Sequence, residues 1–393
     1  MNSTAPQQSP SSSDSQDSLG LVTPQSVVFN EPFVLACGRE LSQFELVYET
    51  YGTLNASRSN AVLICHALSG NHHAAGRHSA DDRKPGWWDH YVGPGKPIDT
   101  NCFFVVCANN IGGCDGSTGP NTINPETNTF WANDFPRLRV RDWVHSQHRL
   151  MTHLHINQWA AVVGGSLGGM QAQRWSLEYP DKLRHCVIIA SAMRLSAQNI
   201  AFNNIARQAI LNDPEFHDGR YLDKSTAPKL GLSVARMVGH VTYISEDTMA
   251  DRFGRELRKG SFTQGVDEDI EFQIESYLHY QGNSFSEKFD ANTYLLLTRA
   301  LEFFDLAREY NHDPIKAFEH ATCKFFVVAF SSDWRFSPER SRDMVQAMLA
   351  AKKQVTYVEV QSDYGHDAFL VPNERYEQNL RTYLSHVAKE CGE

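Results

Sequence analysis

Three residues of this 393-residue chain have the types and the chain order that nucleophilic catalysis needs. Ser166 stands in AVVGGSLGGMQ (161–171), where four glycines crowd one hydroxyl directly after an apolar run. A phosphate-cradling loop and a nucleophile-presenting turn both use glycine at such a place. The phosphate loop requires G-x-G-x-x-G, with an acid about 20 residues on, after the next strand. Here serine occupies the place of the second glycine, and the next apolar run ends in Ala190-Ser191-Ala192 without an acid. A Gly-Lys-Ser/Thr run is also missing, so nothing supports a nucleotide loop. Gly164-Gly165-Ser166-Leu167-Gly168 instead fits G-x-S-x-G, a strand-to-helix bend with one strained residue at its apex. Glycines two before and two after that apex remove Cβ atoms that would collide across the bend. The bland alternative is a chance Gly/Ser turn.

A serine needs a base, and in such a fold the partners follow in the order Ser, acid, His. Asp333 follows the run KFFVVAF, and His366 follows QVTYVEV in QSDYGHDAF. Asp333 would hold the imidazole of His366 in one tautomer, and His366 would take the Ser166 proton and return it to the leaving group. Taken singly, Asp333 reads as a loop cap and His366 as a surface histidine; the ordered trio at three strand ends lifts them. The backbone N–H of Leu167 is one candidate donor to an oxyanion, and that of Leu68, in ICHALSGNHHAAG (64–76), is the second. His66, His72, His73 and His78 cluster in this same stretch. With no carboxylate or thiolate at ligand spacing nearby in sequence, no metal site is expected.

These residues need a scaffold. AVLICHA (61–67), CFFVVCANN (102–110), QWAAVVGGS (158–166), RHCVIIASA (184–192), KFFVVAF (324–330) and QVTYVEV (354–360) read as strands with nearly continuous apolar character. That pattern suits a parallel sheet covered on both faces. Helical patterns over 142–156, 167–179 and 338–352 lie between strands, so the fold class is α/β with right-handed crossovers. SVVFNEPFVLACG and FELVYETYG alternate instead, as antiparallel strands at one edge would. The expected organisation is a polar disordered tail over 1–18, a core over 19–195, a helical lid inserted over 196–317, and the rest of the core over 318–393.

Composition excludes other classes. A formal net charge of −10 argues against a nucleic-acid partner. No apolar run approaches the ~20 residues that span a bilayer, so no membrane partner is expected. The N-terminal stretch lacks a basic start and an apolar core, unlike a secretory signal. Eight cysteines without CxxC spacing read as reduced, buried side chains, and the expected location is cytoplasmic.

Across nearly everything from about Leu19 onward, the chain resembles the homoserine O-acyltransferases of methionine biosynthesis, in their α/β-hydrolase branch. The resemblance is carried by LVYETYG (46–52), HALSG (66–70), GWWD (86–89), GPGKPIDT (93–100), NNIGGCDGSTGP (109–120), GGSLGGMQ (164–171), SAQNIAFN (196–203), FDANTYLLLT (289–298), SDWRFSP (332–338) and YGHDAFL (364–370). One departure is Leu167, where the family often has Met. The resemblance implies a ping-pong acyl transfer: Ser166 takes an acyl group from acyl-CoA, and the hydroxyl of L-homoserine then attacks the acyl-serine. It implies that Arg236 holds the amino-acid carboxylate and Asp367 the ammonium. It implies a homodimer formed through the helical insertion, and no cofactor besides the acyl-CoA co-substrate.

Acetyl and succinyl donors differ by one distal carboxylate. A buried charge needs a partner, so a succinyl enzyme should carry a cation near the acyl pocket. Arg335, two residues past Asp333, sits where acetyl-using relatives usually have an apolar residue, so the expected donor is succinyl-CoA. The chain is therefore most similar to the homoserine O-succinyltransferases of that family. Acetyl-CoA as donor, serine as acceptor, and a hydrolase of small esters are the alternatives. Arg207, Lys259 and Arg299 are candidate CoA contacts.

Overall fold

The computed structural model describes residues 18–258 and 271–392, so the 1–18 tail, apart from its last residue, and Lys259 lie outside the described residues. Eight strands form one sheet: β1 (Gln25–Phe29), β2 (Phe44–Tyr51), β3 (Ala61–Cys65), β4 (Phe104–Ala108), β5 (Trp159–Gly165), β6 (Leu183–Ile189), β7 (Lys324–Phe330) and β8 (Val355–Val360). Their spatial order is β1-β2-β4-β3-β5-β6-β7-β8. β2 runs antiparallel to both neighbours, and every other pairing is parallel.

The continuous apolar runs are the central strands. Every residue of β3 and β5 is buried. Their side chains alternate between two cores: Ala61, Leu63 and Cys65 face one, Val62 and Ile64 the other. The first core is covered by α1 (Val140–His153), α2 (Leu167–Glu178) and α9 (Pro338–Ala350), through Trp143, Met170, Trp175 and Met344. The second is covered by α10 (Glu374–Glu390), whose Tyr376, Leu380, Leu384 and Val387 recur at helical spacing.

Between β6 and β7 the chain leaves the sheet. Among the described residues five α-helices follow: α3 (Ala197–Leu211), α4 (Lys229–Tyr243), α5 (Glu246–Phe253), α6 (Gln273–Ser286) and α7 (Ala291–Glu302). All but α5 contribute to a small core of their own, with Ile210, Phe216, Leu232, Ala235 and Tyr294. The short α8 (Pro314–Glu319) returns the chain to the main core, where Phe318 packs on Phe325 of β7. No helix among the described residues is long and apolar enough to cross a membrane.

The passage from β5 to α2 takes one residue. Ser166 has φ 56° and ψ −120°, a conformation costly for any side chain. Surrounding bonds hold it there. Its N–H donates to the Ile189 carbonyl at 2.9 Å, and its own carbonyl accepts from Gly169 N–H at 3.0 Å and Ser191 Oγ at 2.8 Å. A Cβ on Gly164 would lie 2.1 Å from the Gly168 carbonyl oxygen, and one on Gly168 only 1.9 Å from the Cys65 carbonyl oxygen. β3, β5 and α2 therefore touch backbone to backbone at this bend.

At the far end of α2, Glu178 ties the helix to α1. It accepts from Arg141 Nε at 2.8 Å, pairs with His145 Nε2 at 3.0 Å, and meets Arg174. Burial pushes this carboxyl up, but His145, Arg174 and Arg141 outweigh burial and hold it down at about 2, against an ordinary 4.5. A depressed carboxyl stabilises the fold above its unfolded pKa and loses that contribution as pH falls through its folded one. The Glu178 contribution, about 1–2 kcal/mol after solvent screening, is thus present above pH 4.5 and lost between 4.5 and 2. Melting temperatures measured across that window should fall less steeply for Glu178→Gln than for the parent protein; parallel curves would refute the assignment. Gly168→Ala should cost at least about 3 kcal/mol, the upper end for overpacking against atoms that cannot yield. Calorimetry showing an unshifted melting temperature would contradict the backbone contact.

Candidate active site

Ser166 is seated at the carboxyl end of β5, Asp333 just past β7, and His366 in the short turn after β8. The sheet order sets β7 two strands away from β5, so loops from the same end converge. His366 Nε2 lies 2.8 Å from Ser166 Oγ, and His366 Nδ1 lies 2.8 Å from Asp333 Oδ2. The carboxylate can only accept, so the Nδ1 proton faces Asp333 and Nε2 is left to receive the serine proton. The other Asp333 oxygen accepts the Phe336 N–H at 2.8 Å, which fixes the carboxylate plane. All three side chains are buried, Ser166 retaining 9% exposure and Asp333 1%.

Two serines preceding Asp333 stitch its loop to the histidine loop. Ser362 N–H donates to Ser331 Oγ at 3.0 Å, and Gly365 N–H donates to Ser332 Oγ at 2.9 Å. Phe336 and Phe369 pack their rings 5.0 and 5.7 Å from the imidazole. From the lid, Tyr243 packs at 5.9 Å, and Ser245 and Thr248 donate to the Asp363 carbonyl. The histidine is thus held from both the core and the insertion. Sequence reasoning singles out none of these supporting polar residues; Ser331 and Ser332 adjoin a candidate acid, which is the signal that could find them.

The first N–H of α2 belongs to Leu167, and neither it nor the N–H of Leu68 donates within the described structure. Both are therefore free to donate to a bound atom. The loop carrying Leu68 is pinned by its neighbour. His66 Nδ1 donates to the Ala67 carbonyl at 2.8 Å and Nε2 accepts the Asn110 N–H at 3.0 Å. Burial holds this imidazole down at about 4, so His66 is neutral and purely a strut. Gln171, on α2, donates to the His66 carbonyl and accepts from Gln147.

Two guanidiniums flank this centre. Arg335 is 4% exposed; its Nη atoms donate to Thr242 Oγ1 at 2.8 Å and Asn203 Oδ1 at 3.1 Å, and it lies 5.1 Å over the Tyr243 ring. Arg236 reaches Ser69 Oγ at 3.4 Å and the Phe285 ring at 4.7 Å, with its Nε buried and unpartnered. Among the described residues neither has a carboxylate within ion-pair distance, unlike Arg207, which is buried against Glu302. Asp367 adjoins His366, and its carboxylate accepts no hydrogen bond among the described residues. Burial raises its pKa, opposed by His366, Arg236 and Arg335.

Of the candidate CoA contacts, Arg207 is consumed by its ion pair. Arg299 pairs with the same Glu302 and lines a cavity of about 600 Å³ with Arg137 and Arg139. The residues lining that cavity include none of Ser166, Asp333 and His366. The loop histidines divide: His66 supports Leu68, whereas His72, His73 and His78 gather around Glu49 of β2, a carboxylate remote in sequence.

Comparison with known proteins identifies the family. Residues 60–372 match the family model of the alpha/beta hydrolase fold. A homoserine O-succinyltransferase of Teredinibacter turnerae is 66% identical over 94% of this chain and 97% of its own length. A protein of the same description from Pseudomonas putida is 61% identical over 95% of this chain and 98% of its own. Among solved structures, a homoserine O-acetyltransferase from Bacillus anthracis superposes with a TM-score of 0.86 at 27% identity, covering 93% of this chain and 98% of that one. Esterase E22 superposes at 0.84, also at 27% identity, over 93% and 100%. The fold is thus shared between transferases and an esterase, while near-full-length identity above 60% points to one branch. The chain belongs to the alpha/beta hydrolase fold family and, within it, to the homoserine O-succinyltransferases.

Proposed function

We propose that the protein transfers the succinyl group of succinyl-CoA to the hydroxyl of L-homoserine, through an acyl-Ser166 intermediate, in methionine biosynthesis. The observation that carries this reading is the pair of guanidiniums, Arg236 reaching Ser69 in the loop of Leu68 and Arg335 over the Tyr243 ring that packs on His366, with no described carboxylate within ion-pair distance of either. Arg335 is buried and Arg236 half-buried, and a desolvated cation without a counterion is costly unless a ligand supplies one. A succinylated intermediate meeting an amino acid brings two carboxylates, one for each cation.

In the first half-reaction His366 Nε2 takes the Ser166 proton as Oγ attacks the thioester carbonyl. The N–H groups of Leu68 and Leu167 stabilise the oxyanion. Its collapse expels the CoA thiolate, which leaves as the thiol with the proton from His366. In the second, the homoserine hydroxyl gives its proton to His366 and attacks the acyl carbonyl, and Ser166 recovers a proton as the ester departs. Arg236 holds the amino-acid carboxylate and Asp367 its ammonium, which sets the hydroxyl beside the base. Arg335 holds the distal succinyl carboxylate. The reaction needs no cofactor beyond the co-substrate. The helical insertion limits access of water, the competing nucleophile. Exposed Leu230, Val234 and Val241 on α4 support a homodimer through the insertion, and the buried thiols Cys65, Cys107, Cys186 and Cys323 suit a cytoplasmic setting.

Steady-state rates for acetyl- and succinyl-CoA against homoserine and serine test the assignment. Succinyl-CoA with homoserine should be the fastest pair. Arg335→Ala should lower kcat/KM for succinyl-CoA about 100-fold relative to acetyl-CoA, the scale for leaving a buried charge unpaired; an unchanged donor ratio would remove Arg335 from the acyl pocket. Asp333→Asn should lower kcat by about 10⁴-fold, because the amide favours the wrong imidazole tautomer. Near-normal turnover in that variant would be incompatible with the proposed roles.

A further inference from the structure

On the far side of the loop that carries Leu68, three histidines fold against one carboxylate of a neighbouring strand. Glu49 is fully buried on β2, although it comes from a strand whose alternation reads as half-exposed. Its Oε1 lies 2.5 Å from His78 Nε2, 3.2 Å from His73 Nδ1 and 3.9 Å from His72 Nε2. Bonds of about 2.0–2.2 Å from zinc to nitrogen and oxygen place tetrahedral ligand atoms roughly 3.3 Å apart. The His73 separation matches that spacing, and the His78 separation is shorter. The Glu49, His73 and His78 ligand atoms all lie within 4.8 Å of one another.

Two further observations separate this cluster from an ordinary buried ion pair. First, His72 is 7% exposed, its side chain makes no hydrogen bond among the described residues, and its Nδ1 is buried without a partner. A buried imidazole is rarely left idle, and this one turns its Nε2 toward Glu49. Second, the other carboxylate oxygen is already oriented from behind, since Tyr51 Oη donates to Glu49 Oε2 at 2.6 Å. Metal-binding carboxylates are characteristically held in this way. No Lys or Arg among the described residues lies within ion-pair distance of Glu49; its ion-pair partners are all histidines. His78 keeps 39% of its side chain exposed, which gives an ion a path in.

We propose that Glu49, His73 and His78 form a binding site for one zinc-class divalent cation, with His72 beside it. Two imidazoles and a carboxylate suit zinc or a neighbouring first-row ion over magnesium or calcium. Three protein ligands leave a fourth position for water. The site clamps the end of loop 66–78 to β2, and the same loop begins with the Leu68 backbone. Cation binding here is independent of the acyl-transfer reading and is tested without measuring activity.

The experiment uses the full chain stripped of metal by chelator and dialysed. Calorimetric titration with zinc chloride should give one site per chain with submicromolar affinity, and zinc should raise the melting temperature. Cobalt(II) should give the intense visible absorption of a four-coordinate ion. His78→Ala, at an exposed ring, and Glu49→Gln should each weaken zinc at least about 10-fold, the lower end for a disturbed metal shell. Should Glu49→Gln fail to fold, His78→Ala and His73→Ala still decide the matter. Absence of a saturable single site, or an affinity that His78→Ala and His73→Ala leave unaltered, would overturn the proposal.

Discussion

The contact on which the site depends is between two backbones. The Cys65 carbonyl oxygen occupies the space that a methyl on residue 168 would need, and the Gly168 carbonyl fills the same space for residue 164. Both approaches exist because β3, β5 and α2 meet at a bend one residue long. That bend gives Ser166 its unusual angles, and α2 begins at the very next residue, Leu167. The loop of Leu68 starts one residue past Cys65. The candidate nucleophile and both candidate oxyanion donors thus derive from a single close packing of main chain. Such packing is stiff, because no rotamer change can relax it. Rigidity of this kind is what preorganised electrostatic stabilisation needs.

Much of this could be read from residues alone, and the reasons differ by element. β3, β5, β6 and β7 lie in the middle of the sheet, covered on both faces, so their apolar runs are nearly unbroken and visible. The G-x-S-x-G spacing reports a steric requirement that few other structures share. Asp333 and His366 were legible because parallel sheets place every functional loop at one end of the strands. Glu49 was not. It stands in FELVYETY, where alternation assigns it to the less buried face, and what covers that face is a loop more than twenty residues away. Local spacing in the histidine loop offers no carboxylate, and only the folding of that loop onto β2 supplies one. The lid partners of Arg335, Thr242 and Asn203, were hidden for the same reason: they lie 93 and 132 residues upstream, in an insertion whose docking no pattern encodes.

The insertion does more than cover the centre. Tyr243, Ser245 and Thr248 grip the loop of His366, while Asn203 and Thr242 satisfy the hydrogen-bonding demand of Arg335 without neutralising its charge. Hydroxyl and amide oxygens match a guanidinium's geometry yet leave its field intact, so the cation remains available to an anionic ligand. The esterase and acetyltransferase that share the fold show that the scaffold alone does not select the chemistry.

The order of the strands has a consequence for biosynthesis. β6 pairs with β5 on one side and β7 on the other, yet Ile189 and Lys324 are separated by the whole insertion. While the ribosome is still making the lid, β6 is an open, largely apolar sheet edge awaiting a neighbour. Edges of that kind invite association with other nascent chains. The growing polypeptide therefore passes through a vulnerable interval, ended when β7 emerges and docks.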